Sequence, residues 1–281
     1  MRIGLAILLA AAAGHAGEPT PAPDTEPPWR RTAVLNAVVV GGFLSYGAVF
    51  WDYGLHQPRA FDEGWFGRST LHGGVDKLGH AYTNLVAATL FADIYRSWGW
   101  DRPQAAALGA GSSLLATTLM EVGDAFSPAH GFSPQDVAFN AAGCALAWWR
   151  SAHPGTRDWF DLRLEWLPSR TWRAEARRGA LPDPTTDYAG MTYLLAVTAR
   201  GPVRTWDLPR WLEPVEVHLA YRAIGFEPGD HRQRDREFAI GFGLDGTWLA
   251  ERLGAGGAGG ILDYLQIATL RIEPFAWSVD R

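Results

Sequence analysis

Phe160-Asp161-Leu162-Arg163-Leu164-Glu165-Trp166 decides the fold class, because the apolar pattern of the chain changes period here. Apolar residues at 160, 162, 164 and 166 alternate with charged ones at 161, 163 and 165, the period of a β-strand with two unlike faces. The alternation returns at Val215, Val217, Leu219 and Tyr221 against Glu216, His218 and Arg222. It returns again at Phe238, Ile240, Phe242 and Leu244 against Glu237, Ala239, Gly241 and Gly243. Segments from Met191 to Arg200 and from Tyr264 to Ile272 read as further strands, so the chain beyond Pro154 predicts an antiparallel sheet of about five strands with one apolar face. The glycine-rich run Leu253 to Gly260 lacks a phosphate-loop lysine after it and reads as a turn.

Upstream of Pro154 the pattern is helical. Near-continuous apolar segments occupy Thr32 to Trp51, Leu85 to Ala92, Ala105 to Met120 and Val137 to Trp149, predicting four helices at about 32–51, 76–98, 103–124 and 134–150. Asp101 before Pro103 and Ser133 before Pro134 are N-cap and first-turn signals. The fold class is therefore α+β, a four-helix bundle followed by a sheet. The domains are a signal peptide at 1–16, a proline-rich linker at 17–28, a helical domain at 29–153 and a β-rich domain at 154–281. The signal-peptide reading rests on Arg2, an apolar core from Ile3 to Ala13, and Gly14-His15-Ala16 as a cleavage site.

At 281 residues, 47% of them hydrophobic, the chain is long and apolar enough to fold, and a net charge of -5 argues against a nucleic-acid partner. The single cysteine, Cys144, cannot form a disulfide framework, and no cysteine follows the apolar N-terminal core to carry a lipid. Tryptophans at expected helix ends (Trp51, Trp98, Trp100, Trp148, Trp149) suit a bilayer interface or the rim of a soluble core. Arg30 and Arg31 precede the first helix, opposite to the positive-inside expectation for an inner-membrane protein. A membrane or lipid partner is expected, at the periplasm or outer membrane, with the inner membrane as the alternative. Oligomeric state is left open.

The polar residues worth chemistry fall at helix ends. Asp76, His80 and Asn84 stand at i, i+4 and i+8, with Lys77 beside them, Glu121 and Asp124 close the third helix, and Asp136 and Asn140 open the fourth. In an antiparallel bundle those three ends lie together. Capping accounts for Asp76 and Asp136, whereas Glu121, at the end of an apolar run, needs a cation or donors. The group suits a structural or binding network, acid/base work by His80, Glu121 and Lys77 with Asp76, Asn84, Asp124, Asp136 and Asn140 as binding residues, or a metal. One histidine without a second at helical spacing is a thin metal signal, and whether a metal or other cofactor binds is left open. His56, His72 and His130 fall in loops, where only His72 is a further candidate. The 52–74 connection is long enough to be functional.

Asp76-Lys77-x-x-His80, Glu121-x-x-Asp124 and Gly131-Phe132-Ser133-x-x-Asp136-x-x-x-Asn140-x-x-Gly143 together resemble the YfiM-like periplasmic lipoproteins and, more distantly, the VanZ-like membrane proteins. Asp187 to Tyr193 resembles the start of the β-rich extension of longer YfiM-like members. The resemblance implies an envelope protein of unassigned activity, with a VanZ-like link to the cell surface and glycopeptide resistance. The expected role is a membrane-associated accessory or binding protein for a lipid or cell-wall component. The alternative is a hydrolase or transferase acting on a lipid-linked phosphate or wall precursor.

Overall fold

The computed structural model describes residues 28–280 except 129, 181, 183, 185, 228–231 and 255–269. The signal peptide, nearly all of the linker and most of the strand expected at 264–272 lie outside the described residues. Four helices come first: α1 (Trp29–Phe50), α2 (Val75–Ser97), α3 (Arg102–Asp124) and α4 (Pro134–Ala152). Then follow β1 (Phe160–Trp166), α5 (Arg170–Arg177), β2 (Met191–Thr198), α6 (Arg200–Thr205), β3 (Val215–Ile224), β4 (Asp235–Leu244), α7 (Gly246–Arg252) and β5 (Arg271–Ser278). The α+β expectation is met, as four helices ahead of a five-stranded antiparallel sheet.

The chain forms two compact units. One joins the chain up to Glu63 with Thr83–His153, and the other joins Gly64–Tyr82 with Pro154–Arg281. The α2 helix therefore contributes its opening turns to one unit and the rest of its length to the other.

In the helical unit the caps fall where the sequence puts them. The Asp101 carboxylate accepts from the Gln104 amide at 2.7 Å, and Ser133 Oγ accepts from the Asp136 amide at 3.2 Å. Small residues let α2 and α3 touch: a Cβ on Gly109 would stand 2.6 Å from the Ala88 carbonyl oxygen. Leu35 and Val39 of α1 pack on Phe91, Tyr95, Trp100 and Ala105. Hydrogen bonds lock the same face, from Asn36 Nδ2 to Tyr95 Oη at 2.9 Å and from Trp100 Nε1 to Thr32 Oγ1 at 3.1 Å. Trp100 thus belongs to the core, edge-on to Trp29 at 4.5 Å, while Trp148 and Trp149 stay exposed. The other side of α1, with Val34, Val38, Val49 and Phe50, is bare.

The second unit is a meander in the order β1-β2-β3-β4-β5. Its register aligns three apolar rows on one face: Phe160, Val197, Val217, Phe242 and Ile272; Leu162, Leu195, Leu219, Ile240 and Phe275; and Leu164, Tyr193, Tyr221, Phe238 and Trp277. The opposite face carries Asp161, Arg163, Glu216, His218, Arg222 and Glu237. It is this polar face that is inside. Asp161, Arg163, Glu216 and His218 are all buried, while Leu195, Val197, Val217, Leu219, Ile240 and Phe242 are exposed. The sheet curls around the polar side, since Arg271 of β5 is ion-paired with Glu165 of β1. A flat five-stranded sheet would hold those edges about 19 Å apart. The described fifth strand spans Arg271–Ser278 against the 264–272 expected, with a register shift between Ile240 and Phe242 on β4, opposite Pro274.

Segment 64–82 covers one end of the apolar face. Gly73 and Gly74, at φ of 65° and 87°, turn the chain into α2, and Tyr221 Oη donates to the Gly73 carbonyl. Phe66 and Leu78 line an apolar cavity with Tyr193, Tyr221 and Phe238.

Candidate functional site

Glu121 is the most unusual of the sequence-selected residues. It sits in the last turn of α3, 2% exposed, and its Oε2 accepts from the Ser133 amide at the head of α4. Burial is the main reason that its carboxyl holds its proton up to about 9, and the carboxylates of Asp136, Asp124 and Glu63 push in the same direction. The Ser133 amide opposes them. At neutral pH Glu121 is therefore a neutral acid that can donate as well as accept.

The neighbouring acids have their own supports. Asp136 is the third residue of α4, its amide held by Ser133 Oγ, as the capping pattern predicts. Asp124 accepts from Tyr53 Oη at 2.9 Å, and the same hydroxyl reaches the Met120 carbonyl at 3.1 Å. Tyr53 can lie there because Gly47 and Gly123 leave room: a Cβ on either would fall 2.0 or 2.2 Å from its ring. Asp62 accepts from Gln135 Nε2 at 2.5 Å, tying the 52–74 connection to α4.

Deeper in the same unit Asn84 and Asn140 meet. Asn84 Nδ2 donates to Asn140 Oδ1 at 2.6 Å, and Asn84 Oδ1 accepts from Ser113 at 2.7 Å, Thr117 at 3.2 Å and Cys144 Sγ at 3.3 Å. These two amides, selected as binding residues, form a polar tie across α2, α3 and α4. Cys144 is buried within it, so this cysteine is not placed to carry a lipid.

The opening turns of α2 hold the remaining candidates. Lys77, 1% exposed, lies 2.9 Å from Asp76 Oδ2, and His80 follows one turn on, half-buried. Since α2 begins at Val75, Asp76 falls inside the first turn and not at the N-cap position that capping assigned it. The His72 ring meets that of Tyr188 at a tilt of 50°, ring centroids 4.6 Å apart, and both line a cavity with Trp172, Asp187 and Phe226.

Sequence reasoning missed three sets of residues. Tyr53 and Glu63 lie in a connection with no periodicity to mark them, although its length was a signal. The third set is the ion cluster inside the sheet. Arg163 bonds Glu216 Oε1 at 2.6 Å, with Asp161 at 3.6 Å and Asp245 at 3.7 Å, and His218 Nε2 is 3.1 Å from Glu216 Oε2. Burial raises the Glu216 carboxyl, but His218 and Arg163 outweigh it and hold it below the ordinary range. The alternation that placed these residues on one face did not say that this face was inside.

Residues 62–152 match the model of a family described as predicted periplasmic lipoprotein (DUF2279). The match covers α2, α3, α4 and every sequence-selected site residue. It supports an exported envelope protein of an uncharacterised periplasmic family, with unassigned activity. No curated protein and no solved structure matches the chain.

Proposed function

We propose that the chain is a membrane-associated accessory protein of the cell envelope, whose helical unit recognises a lipid or a cell-wall component. The observation that carries this reading is α1. It is 22 residues long and apolar enough to cross a bilayer, yet only 6% of its most apolar window is buried. A signal sequence awaiting removal has no need of partners, whereas α1 is fastened to the bundle through Asn36, Thr32, Leu35 and Val39. One face packs and the other meets the medium, and Val34, Val38, Val49 and Phe50 suit acyl chains. By contrast α3, the other helix of sufficient length and hydropathy among the described residues, buries Ala105, Ala106, Ser113, Ala116 and Thr117 and is a core helix. The likeness to YfiM-like and VanZ-like proteins favours a cell-wall or lipid ligand over a soluble metabolite.

The carboxyl cluster is the binding end in this reading. A neutral Glu121 beside Asp136 and Asp124 offers a hydrogen-bond donor next to acceptors, which suits a polar headgroup or a sugar. A second reading follows from the same proton: a carboxylic acid that stays protonated at neutral pH is a competent general acid. It would serve a hydrolase or transferase acting on a lipid-linked phosphate or wall precursor.

Native mass spectrometry of the detergent-extracted full chain, with elemental analysis, separates the two. The binding reading expects a retained lipid or wall fragment that Glu121→Gln and Asp136→Asn weaken. A stoichiometric metal, or turnover of a lipid-linked phosphate lost in Glu121→Gln, favours the enzyme. A chain that carries no ligand and shows no turnover contradicts both.

A further inference from the structure

From the inverted polarity of the sheet we infer that its outer face is a second lipid-contacting surface, lying against the acyl chains of a bilayer. The inference rests on the reading of this chain as membrane-associated, and extends it from α1 to the second unit.

In a water-soluble sheet the apolar face is the buried one, since that is where burial lowers free energy. Here charges are buried on the concave side and the convex side is apolar. The ion pairs of Arg163 with Glu216, Arg222 with Glu237 and Glu273, and Arg271 with Glu165 and Glu273 partner the interior charges, which leaves no charge in any of the three outer rows. Apolar-out and polar-in alternation is the pattern of strands whose outer surface faces lipid. In water the same surface would be a large, continuous exposed apolar patch: Leu219, at its centre, is 42% exposed and Phe275, on β5, 63%.

The ends of the strands distinguish lipid from a second copy of the chain. At the end marked by Phe160 and Val217, exposed tryptophans flank the patch: Trp159 precedes β1, Trp206 closes α6 and Trp211 precedes β3. Trp159 and Trp206 meet edge to face at 6.2 Å. Arg204, in the same place, is exposed and paired with Asp158. At the other end Trp277 is exposed, while Tyr193 and Tyr221 are buried beneath segment 64–82. An uncharged apolar band with three exposed tryptophans at one margin, the Arg204–Asp158 pair beside them and Trp277 exposed at the other matches the layering of acyl chain and interface. A second copy of the chain would gather its tryptophans near the centre of the contact, where interface aromatics cluster, and not at the margin.

The test places single cysteines at Leu219, Ile240 or Phe275 on the outer face, and at Val38 on α1 as a reference. Each is labelled with an environment-sensitive fluorophore in the full chain, the unaltered protein with its buried Cys144 serving as the labelling blank. Vesicles are phosphatidylethanolamine and phosphatidylglycerol, with or without brominated acyl chains, and circular dichroism checks the fold of each variant. The expected result is a blue shift on adding vesicles, and loss of emission with brominated lipid, at position 38 and at two or more sheet positions. A response at 38 with the sheet positions still in water overturns this inference and leaves the membrane reading standing. No response at any position overturns both. A blue shift at the sheet positions that precedes the vesicles and grows with protein concentration means that a second copy covers the face, which also overturns it.

Discussion

Glu121 sets the pH behaviour expected of the helical unit. In the unfolded chain its carboxyl ionises near 4.5, and in the folded chain near 9. Between those values the unfolded state has released a proton that the folded state keeps, so this contribution to stability is full below the lower value and falls as pH climbs toward the upper one. The slope is at most about 1.4 kcal/mol per pH unit. Glu121→Gln supplies a neutral side chain of the same shape. It is expected to flatten the melting temperature between about pH 5 and about pH 8, and to raise it at the upper end. Calorimetry across that range checks this, and an unchanged slope would mean that the folded protein holds Glu121 ionised. At Gly123 the expected effect is steric. Gly123→Ala drives a methyl into the Tyr53 ring, and an overpacking cost of about 1–3 kcal/mol in denaturant unfolding is expected, with loss of the Tyr53 to Asp124 bond. At this scale the sequence displayed what has a helical period. Asn84 and Asn140 stood out by their helical spacing from Asp76 and Asp136 and turned out to be partners of each other. Tyr53 and Glu63, in an aperiodic connection, had nothing to distinguish them.

Among the elements, helices were legible nearly to the residue, because Asp101 with Pro103 and Ser133 with Pro134 write their own boundaries. Strands β1, β3 and β4 were legible through alternation. The β5 strand was not, since Pro274 and the register shift interrupt its period. Nor was the inside of the sheet: a period of two marks two faces without saying which medium each meets. Because the charged face is inside, Arg163 has consequences that an outward arginine would lack. Arg163→Met removes the cation that Glu216 and Asp161 share in a buried space, and a loss of about 3–5 kcal/mol is expected by denaturant unfolding. A loss below about 1 kcal/mol, the range of exposed pairs, would place the cluster in water and contradict the inverted sheet. In the bundle, Gly109→Leu is expected to part α2 from α3, seen as a lowered melting temperature and as faster amide exchange around Ala88 and Ala92.

For the whole molecule, export and membrane attachment are joined in one claim. The match of 62–152 to a periplasmic family concerns the compartment. Attachment is argued from α1, which hides one face in the bundle and bares the other, and in the second unit from the outer face of the sheet. Both surfaces were visible in the sequence, α1 as an apolar run and the sheet face as the apolar half of an alternation, but exposure is a property of tertiary packing and no single segment reveals it. Fractionation of cells producing the full-length chain tests the claim most directly, with osmotic shock followed by carbonate extraction of the membranes. The chain is expected to stay in the membrane pellet through carbonate, and to be reached by protease only once the outer membrane is opened. Release of the bulk of the protein by osmotic shock alone would contradict membrane attachment, and protease protection in spheroplasts would contradict export.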